Sequence, residues 1–255
     1  MRKASPAPAV QSVLQLDGVY NARDLGGLIG AQGKRVRNGK LFRSGNPARA
    51  SSADIQRLEE LGLEAVIDFR SAPEKSQDDG TFGQHFNWIP MPVLDGNIQV
   101  DTLLPKLRHA TPDFSTAMMT DVYRSFPVRY QEPFAAFLKQ AATGQTLLFH
   151  CTAGKDRTGF AAMLLLSALG VSWPDILSDY LTSNRLNSRL FQDVLPKSFA
   201  NGIPTEVMMP LLEVSPAYLE TAGQAIEAAC GGVEPYLRDV MGADLDALRG
   251  HYLES

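Results

Sequence analysis

Thr146-Leu147-Leu148-Phe149-His150-Cys151-Thr152-Ala153-Gly154-Lys155-Asp156-Arg157-Thr158-Gly159 is the stretch that decides the fold class. Its opening is a continuous apolar run, the pattern of a parallel strand covered on both faces. From Phe160 to Leu169 the chain is apolar all round, and Gly170 supplies a stop. A buried helix is therefore expected over 157–169. A buried strand feeding a buried helix through a short loop is the building unit of α/β domains.

Outward from this unit, Ala65-Val66-Ile67-Asp68-Phe69 reads as a second strand. Residues 88–93 suit a third, which Pro90 and Pro92 confine to a sheet edge. The Gly-rich stretch 14–44 suits turns and small strands and ends in Leu41-Phe42-Arg43. Ser51 or Ser52 caps a helix that Gly62 closes, and Pro133 sits well as the first residue of another, stopped by Gly144. Ser172 with Pro174, and Ser215 with Pro216, start two more. The polar, proline-containing segment 94–113 reads as an irregular surface excursion. The expectation is an α/β fold, with a mostly parallel central sheet flanked by helices and a helical C-terminal half. One domain over 14–255 follows a flexible tail over 1–13.

Composition narrows the function. The chain has 255 residues, 44% hydrophobic and 20% charged, which is enough to bury a core without staples. Its 24 basic and 28 acidic residues give a formal charge of -4. That is no footprint of a nucleic-acid binder, so any anion must be drawn by a local site. Two cysteines cannot form a disulfide framework, and the scattered His85, His109, His150 and His251 lack metal-ligand spacing. No metal and no cofactor is called for. The first ten residues hold no apolar signal core, and the run 160–171 is far short of the ~20 residues a membrane span requires. A cytoplasmic protein without a transmembrane segment is expected; leaderless export would leave no mark in the sequence.

The loop between strand and helix carries the chemistry. Loops at the C-terminal ends of strands in open α/β sheets are where ligands bind, and the amides and dipole of the following helix favour an anion. Cysteines in such fields ionise near neutrality. Cys151 stands at the loop's start, and six residues on Arg157 offers a planar fork matched to two phosphate oxygens. Gly154 and Gly159 let the backbone close around a small oxyanion, and Thr158 sets a hydroxyl near the thiol. The layout is that of phosphoryl transfer to sulfur followed by hydrolysis. A nucleotide P-loop is rejected: Asp156 stands where Ser or Thr is needed, and Phe149 where the first glycine belongs. No Gly-x-Ser-x-Gly elbow is present, which rejects a serine hydrolase. A rhodanese-like sulfurtransferase, or a phosphate-binding module without catalysis, stands as the alternative. The bland reading makes Cys151 an inert thiol and Arg157 a helix-start ion-pair partner; the loop's composition argues against it. Cys230, beside Gly231-Gly232, reads as packing.

His-Cys-x-Ala-Gly-Lys-Asp-Arg-Thr-Gly resembles the loop of the bacterial tyrosine/serine protein phosphatases, a family of Cys-x5-Arg enzymes. The likeness extends to Asn21-Ala22-Arg23-Asp24-Leu25-Gly26-Gly27, Leu41-Phe42-Arg43-Ser44, Asp68-Phe69-Arg70-Ser71, Tyr123-Arg124-Ser125-Phe126-Pro127, Asp179-Tyr180-Leu181-Thr182-Ser183-Asn184 and Tyr218-Leu219. It implies the tyrosine-phosphatase fold and a phosphocysteine at Cys151 clamped by Arg157. It implies phosphorylated protein as substrate, phosphotyrosine first, with phosphoserine or phosphothreonine and phosphoinositides as further candidates. It also suggests a helical lid over about 186–214. The expected phosphate contacts are Thr152, Ala153, Gly154, Lys155 and Thr158, with Arg70 following a strand end; Lys155 suits a second phosphate group. Expelling the ester oxygen requires a proton donor. Asp156 is the first candidate, and the resemblance favours it. Asp68 is second, at the same sheet edge. Asp121 is third, at a separation from Cys151 like that of the acid in dual-specificity phosphatases.

Overall fold

The computed structural model describes residues 12–75, 82–93 and 100–255. The strands β1 (Arg23–Asp24), β2 (Leu41–Ser44), β3 (Ala65–Asp68), β4 (Asn87–Pro90) and β5 (Leu147–His150) form one sheet in the order β1-β2-β5-β3-β4. Only β1 pairs antiparallel. The others run parallel, and their last residues fall in one register row, Ser44, His150, Asp68 and Pro90. Cys151 thus leaves the sheet from the central strand, at the carboxyl edge that the sequence assigned to the site. The proline-bearing β4 lies at the edge, as its missing N–H groups require.

Side chains of a strand alternate between faces, and both faces here are covered. Leu41, Ala65, Ile67, Leu147 and Phe149 enter the main core, whereas Phe42, Val66 and Leu148 enter a second core with Ile55 and Leu58. The latter two come from α1 (Ser52–Glu60), which opens on a reciprocal Ser51–Asp54 capping box. The main core is built on α5 (Arg157–Ala168), buried along its length as expected of a helix apolar all round.

Segment 94–113 departs from expectation. Residues 94–99 lie outside the described ones, but α2 (Val100–Leu107) and the start of α3 (Pro112–Arg129) are helical. Thr111 caps α3 and Pro112 occupies its first position. That pair is a start signal which the segment's overall polarity obscured. α4 (Gln131–Ala141) begins two residues before Pro133, which its first turn tolerates because those N–H groups have no helical partner. α6 (Trp173–Leu186), capped by Ser172, precedes α7 (Ser188–Ala200) and α8 (Thr205–Leu212). The last two fill the stretch expected as a lid, around a satellite core of Leu107, Ile203, Val207, Met208 and Leu212. α9 (Pro216–Cys230) and α10 (Leu245–Tyr252) complete the helical half. Of the tail expected over 1–13, residues 1–11 lie outside the described ones, and Val13 bridges to Arg23. No described helix is long and apolar enough to cross a membrane.

Candidate active site

Three successive carbonyls of the loop from Cys151 to Arg157 are held outward by residues outside it. Thr152 O accepts from the Asn46 amide at 2.9 Å. Ala153 O accepts from Asn21 Nδ2 at 3.0 Å and Asn187 Nδ2 at 3.2 Å. Gly154 O accepts from Asn21 Nδ2 at 2.9 Å and Arg43 Nη2 at 2.8 Å. In a trans peptide the N–H points opposite to its C=O, so each pinned carbonyl turns the next amide inward. None of the amides from Thr152 to Gly159 donates to a protein acceptor among the described residues. Asp156 occupies the N-cap of α5 yet makes no side-chain cap, which leaves the helix's first N–H groups unspent. Gly154 sits at φ +66°, and a Cβ there would lie 2.2 Å from Ser44 O, so only glycine lets the loop close against β2.

Beneath the loop lies a support that the sequence did not reveal as a unit. Arg23 Nε and Arg43 Nη1 both pair with Asp179 on α6, and all three side chains are buried. Burial, and next the neighbouring Arg43 charge, lower the Arg23 pKa to about 10 against the pull of Asp179, so the guanidinium stays charged at neutral pH. Two cations on one carboxylate leave a positive charge in excess under the anion cradle. The other half of the block over residues 21–27 is local: Asp24 accepts from the Gly26 and Gly39 amides and shapes its turn.

Arg157 is where its spacing places it, and its partner is Glu74, which sequence reading missed. Nη1 and Nη2 each meet a Glu74 carboxylate oxygen at 2.6 Å, a bidentate pair. Glu74 also accepts from Thr152 Oγ1 at 2.6 Å and from the Ser71 amide and hydroxyl at 2.9 Å. Burial pushes its carboxyl up, but the Arg157 hydrogen bonds and charge, then Thr152 and Ser71, outweigh that and bring it down to about 2. On Arg157, burial opposes the charge, while Glu74 and Cys151 raise its pKa above the ordinary value. Cys151 is buried and free. The only signal for Glu74 in the sequence is Ser71-x-x-Glu74, a capping-box spacing with a proline between.

The aspartates separate. Asp156 Oδ1 accepts from Tyr123 Oη at 2.8 Å and Lys155 Nζ at 2.9 Å, and Oδ2 from Lys155 Nζ at 2.7 Å. The lysine expected at a second phosphate is thus engaged with the aspartate beside it. Asp68 is fully buried and accepts from Arg70 Nε and Nη2 at 3.0 Å and from Trp88 Nε1 at 3.2 Å. Burial raises its pKa, but the His150 charge and then Arg70 outweigh that and hold it below the usual carboxylate range. Arg70 spends its fork on this ion pair. Asp121 is on the exposed side of α3, paired with Arg124. His150 Nδ1 lies 3.1 Å from Cys151 O, and its ring packs edge-on against Trp88, so it braces the strand end. Thr158 Oγ1 is buried without a hydrogen-bond partner among the described residues, a hydroxyl in reserve beside the cradle. Among the described residues no cluster of three or more His, Cys, Asp or Glu is placed to hold a metal ion.

Comparison with known proteins identifies the family. The tyrosine phosphatase family matches residues 14–254. A protein of Cupriavidus necator named as a tyrosine-protein phosphatase is 54% identical over 252 residues, covering 97% of this chain and 92% of its own. The triple specificity protein phosphatase PtpB of Mycobacterium tuberculosis is 31% identical over 276 residues, covering 94% and 98%. Among solved structures, P. aeruginosa TpbA in complex with phosphotyrosine aligns over 96% of each chain at 15% identity and a TM-score of 0.38. The sulfurtransferase and binding-module alternatives give way: this chain belongs to the tyrosine phosphatase family and is a protein-tyrosine phosphatase.

Proposed function

We propose that Cys151 is the nucleophile, that Arg157 and the amides of Thr152, Ala153, Gly154, Lys155 and Thr158 hold the phosphoryl oxygens, and that Asp156 is the proton donor. The carrying observation is the row of unspent amides between Cys151 and Gly159, of which those of Ala153, Gly154 and Lys155 are turned inward by carbonyls that Asn21, Asn187, Arg43 and Asn46 hold outward. Such donors, fixed before substrate arrives, stabilise charge without reorganising. The Cys151 thiolate attacks phosphorus, the P–O ester bond breaks, and the leaving oxygen takes the Asp156 proton. Water then attacks the phosphocysteine and gives its proton back to Asp156. The S–P bond breaks, and phosphate and the thiolate are released.

Glu74 refines the role of Arg157. It occupies the Nη1–Nη2 edge of the fork, and the other Nη2 hydrogen meets Thr152 Oγ1 at 3.3 Å, so the phosphate takes Nε first and Nη2 as Thr152 turns aside. Asp156 is preferred over Asp68, whose oxygens are committed to Arg70 and Trp88 in a fully buried site.

We extend the substrate reading from phosphotyrosine to phosphoserine and to phosphoinositide monoesters. PtpB, 31% identical to this chain, is named for triple specificity, which supports this. Turnover of one peptide of each kind and one phosphoinositide by the native protein, Asp156→Asn and Asp68→Asn tests both parts. The native protein turns over all three. Asp156→Asn loses about 10²–10⁴-fold, the usual reach of general-acid catalysis, with the larger loss on phosphoserine because an alkoxide leaves less readily than a phenolate. An intact rate in Asp156→Asn alongside a collapsed one in Asp68→Asn transfers the acid to Asp68.

A further inference from the structure

Behind Asp156 stands a pair of buried phenols that the reaction as written does not use. Tyr123 on α3 is wholly buried, and its hydroxyl donates to Asp156 Oδ1 at 2.8 Å. Tyr180 on α6, equally buried, donates to the Tyr123 hydroxyl at 2.7 Å. The direction follows from the chemistry: the Tyr123 proton is committed to the carboxylate, so its oxygen is left to accept. Both phenols are held neutral, first by burial and next by the Asp156 charge. The rings have little freedom. Tyr123 stacks on Tyr218 at 5.5 Å and meets Phe126 edge-on at 5.2 Å. Tyr180 lies so close to the loop that a Cβ on Gly159 would fall 2.9 Å from its ring. The final glycine of the loop motif therefore makes room for this ring.

We infer that Tyr123, backed by Tyr180, is a positioning residue that fixes which oxygen of Asp156 delivers the proton. Oδ1 takes both the phenol and the lysine, whereas Oδ2 takes the lysine alone. The phenol saturates Oδ1 and leaves Oδ2 as the oxygen with an unclaimed lone pair, the one that carries the transferable proton. Hydrogen bonds in a chain polarise one another, so Tyr180 strengthens the Tyr123 contact from behind. The inference rests on Asp156 being the proton donor.

Leaving-group dependence separates this role from a structural one. Tyr123→Phe removes one oxygen and keeps the ring, and thermal unfolding checks that the variant folds. It is expected to lower kcat/KM on phenyl phosphate about tenfold, the lower end of the worth of a hydrogen bond to a charged group. On an activated nitrophenyl ester, whose leaving group requires little protonation, kcat/KM, which stops at P–O cleavage, should hardly change. Tyr180→Phe, which keeps the direct contact, should give a smaller loss of the same pattern. In an Asp156→Asn background, Tyr123→Phe should add nothing. Equal losses on both esters, or a full further loss in the Asp156→Asn background, overturn the positioning role while leaving Asp156 as the acid. If Asp156→Asn itself shows no leaving-group dependence, the acid assignment fails first and this inference falls with it.

Discussion

Cys151→Ser is expected to lose phosphatase turnover by on the order of 10⁴-fold or more while keeping its affinity for phosphate. The two halves have separate causes. A serine hydroxyl is a far weaker nucleophile than a cysteine sulfur, so the attacking group disappears. The cradle survives, because its amides are aimed by hydrogen bonds from Asn21, Asn187, Arg43 and Asn46 to loop carbonyls, not through the sulfur. Calorimetric titration with inorganic phosphate, beside steady-state rates on a phosphotyrosine peptide, reads both. Unchanged turnover would remove Cys151 from the mechanism. Loss of phosphate binding along with turnover would mean that the loop's shape depends on the thiol.

Arg157→Lys comes next in size, with kcat/KM expected to fall about 10²–10³-fold, as for removal of a preorganised oxyanion donor. An ammonium is a point charge and cannot hold Glu74 on one edge while offering another to phosphate. Its loss also exposes the phosphate dianion to the Glu74 carboxylate, which the native fork neutralises through bonds of 2.6 Å. Glu74→Gln introduced into Arg157→Lys should therefore recover part of the lost phosphate affinity, although Glu74→Gln alone weakens it. Such opposite signs mark direct coupling between neighbours. Near-native kcat/KM in Arg157→Lys would show that a charge suffices and that the fork's geometry is irrelevant.

What the sequence made legible was local. The run 146–149, the glycine stops and the helix-start serines and prolines each act within a few residues, and the structure places β5, α1, α5, α6 and α9 accordingly. Pro90 put β4 at the edge because a missing N–H acts wherever the strand lies. What stayed hidden was long-range. Glu74 precedes Arg157 by 83 residues, and Asp179 follows Arg23 by 156, separations that carry no periodicity. Their value arises only when parallel pairing brings the ends of β2, β3 and β5 into one row. Segment 94–113 misled for another reason: Pro105 sits inside α2 and Pro112 opens α3, and proline counts against a helix unless an end turn absorbs it.

A phosphoryl group resting on the sulfur of Cys151 is the claim from which the other roles derive. Mixing the native protein with a phosphotyrosine peptide labelled in its phosphorus, quenching in acid within one turnover and mapping the labelled fragment tests it most directly. The label should appear on Cys151, accumulate further in Asp156→Asn when the ester is an activated one, and be absent from Cys151→Ser. Label on any other residue, or rapid turnover with no labelled protein at any time, would contradict the account.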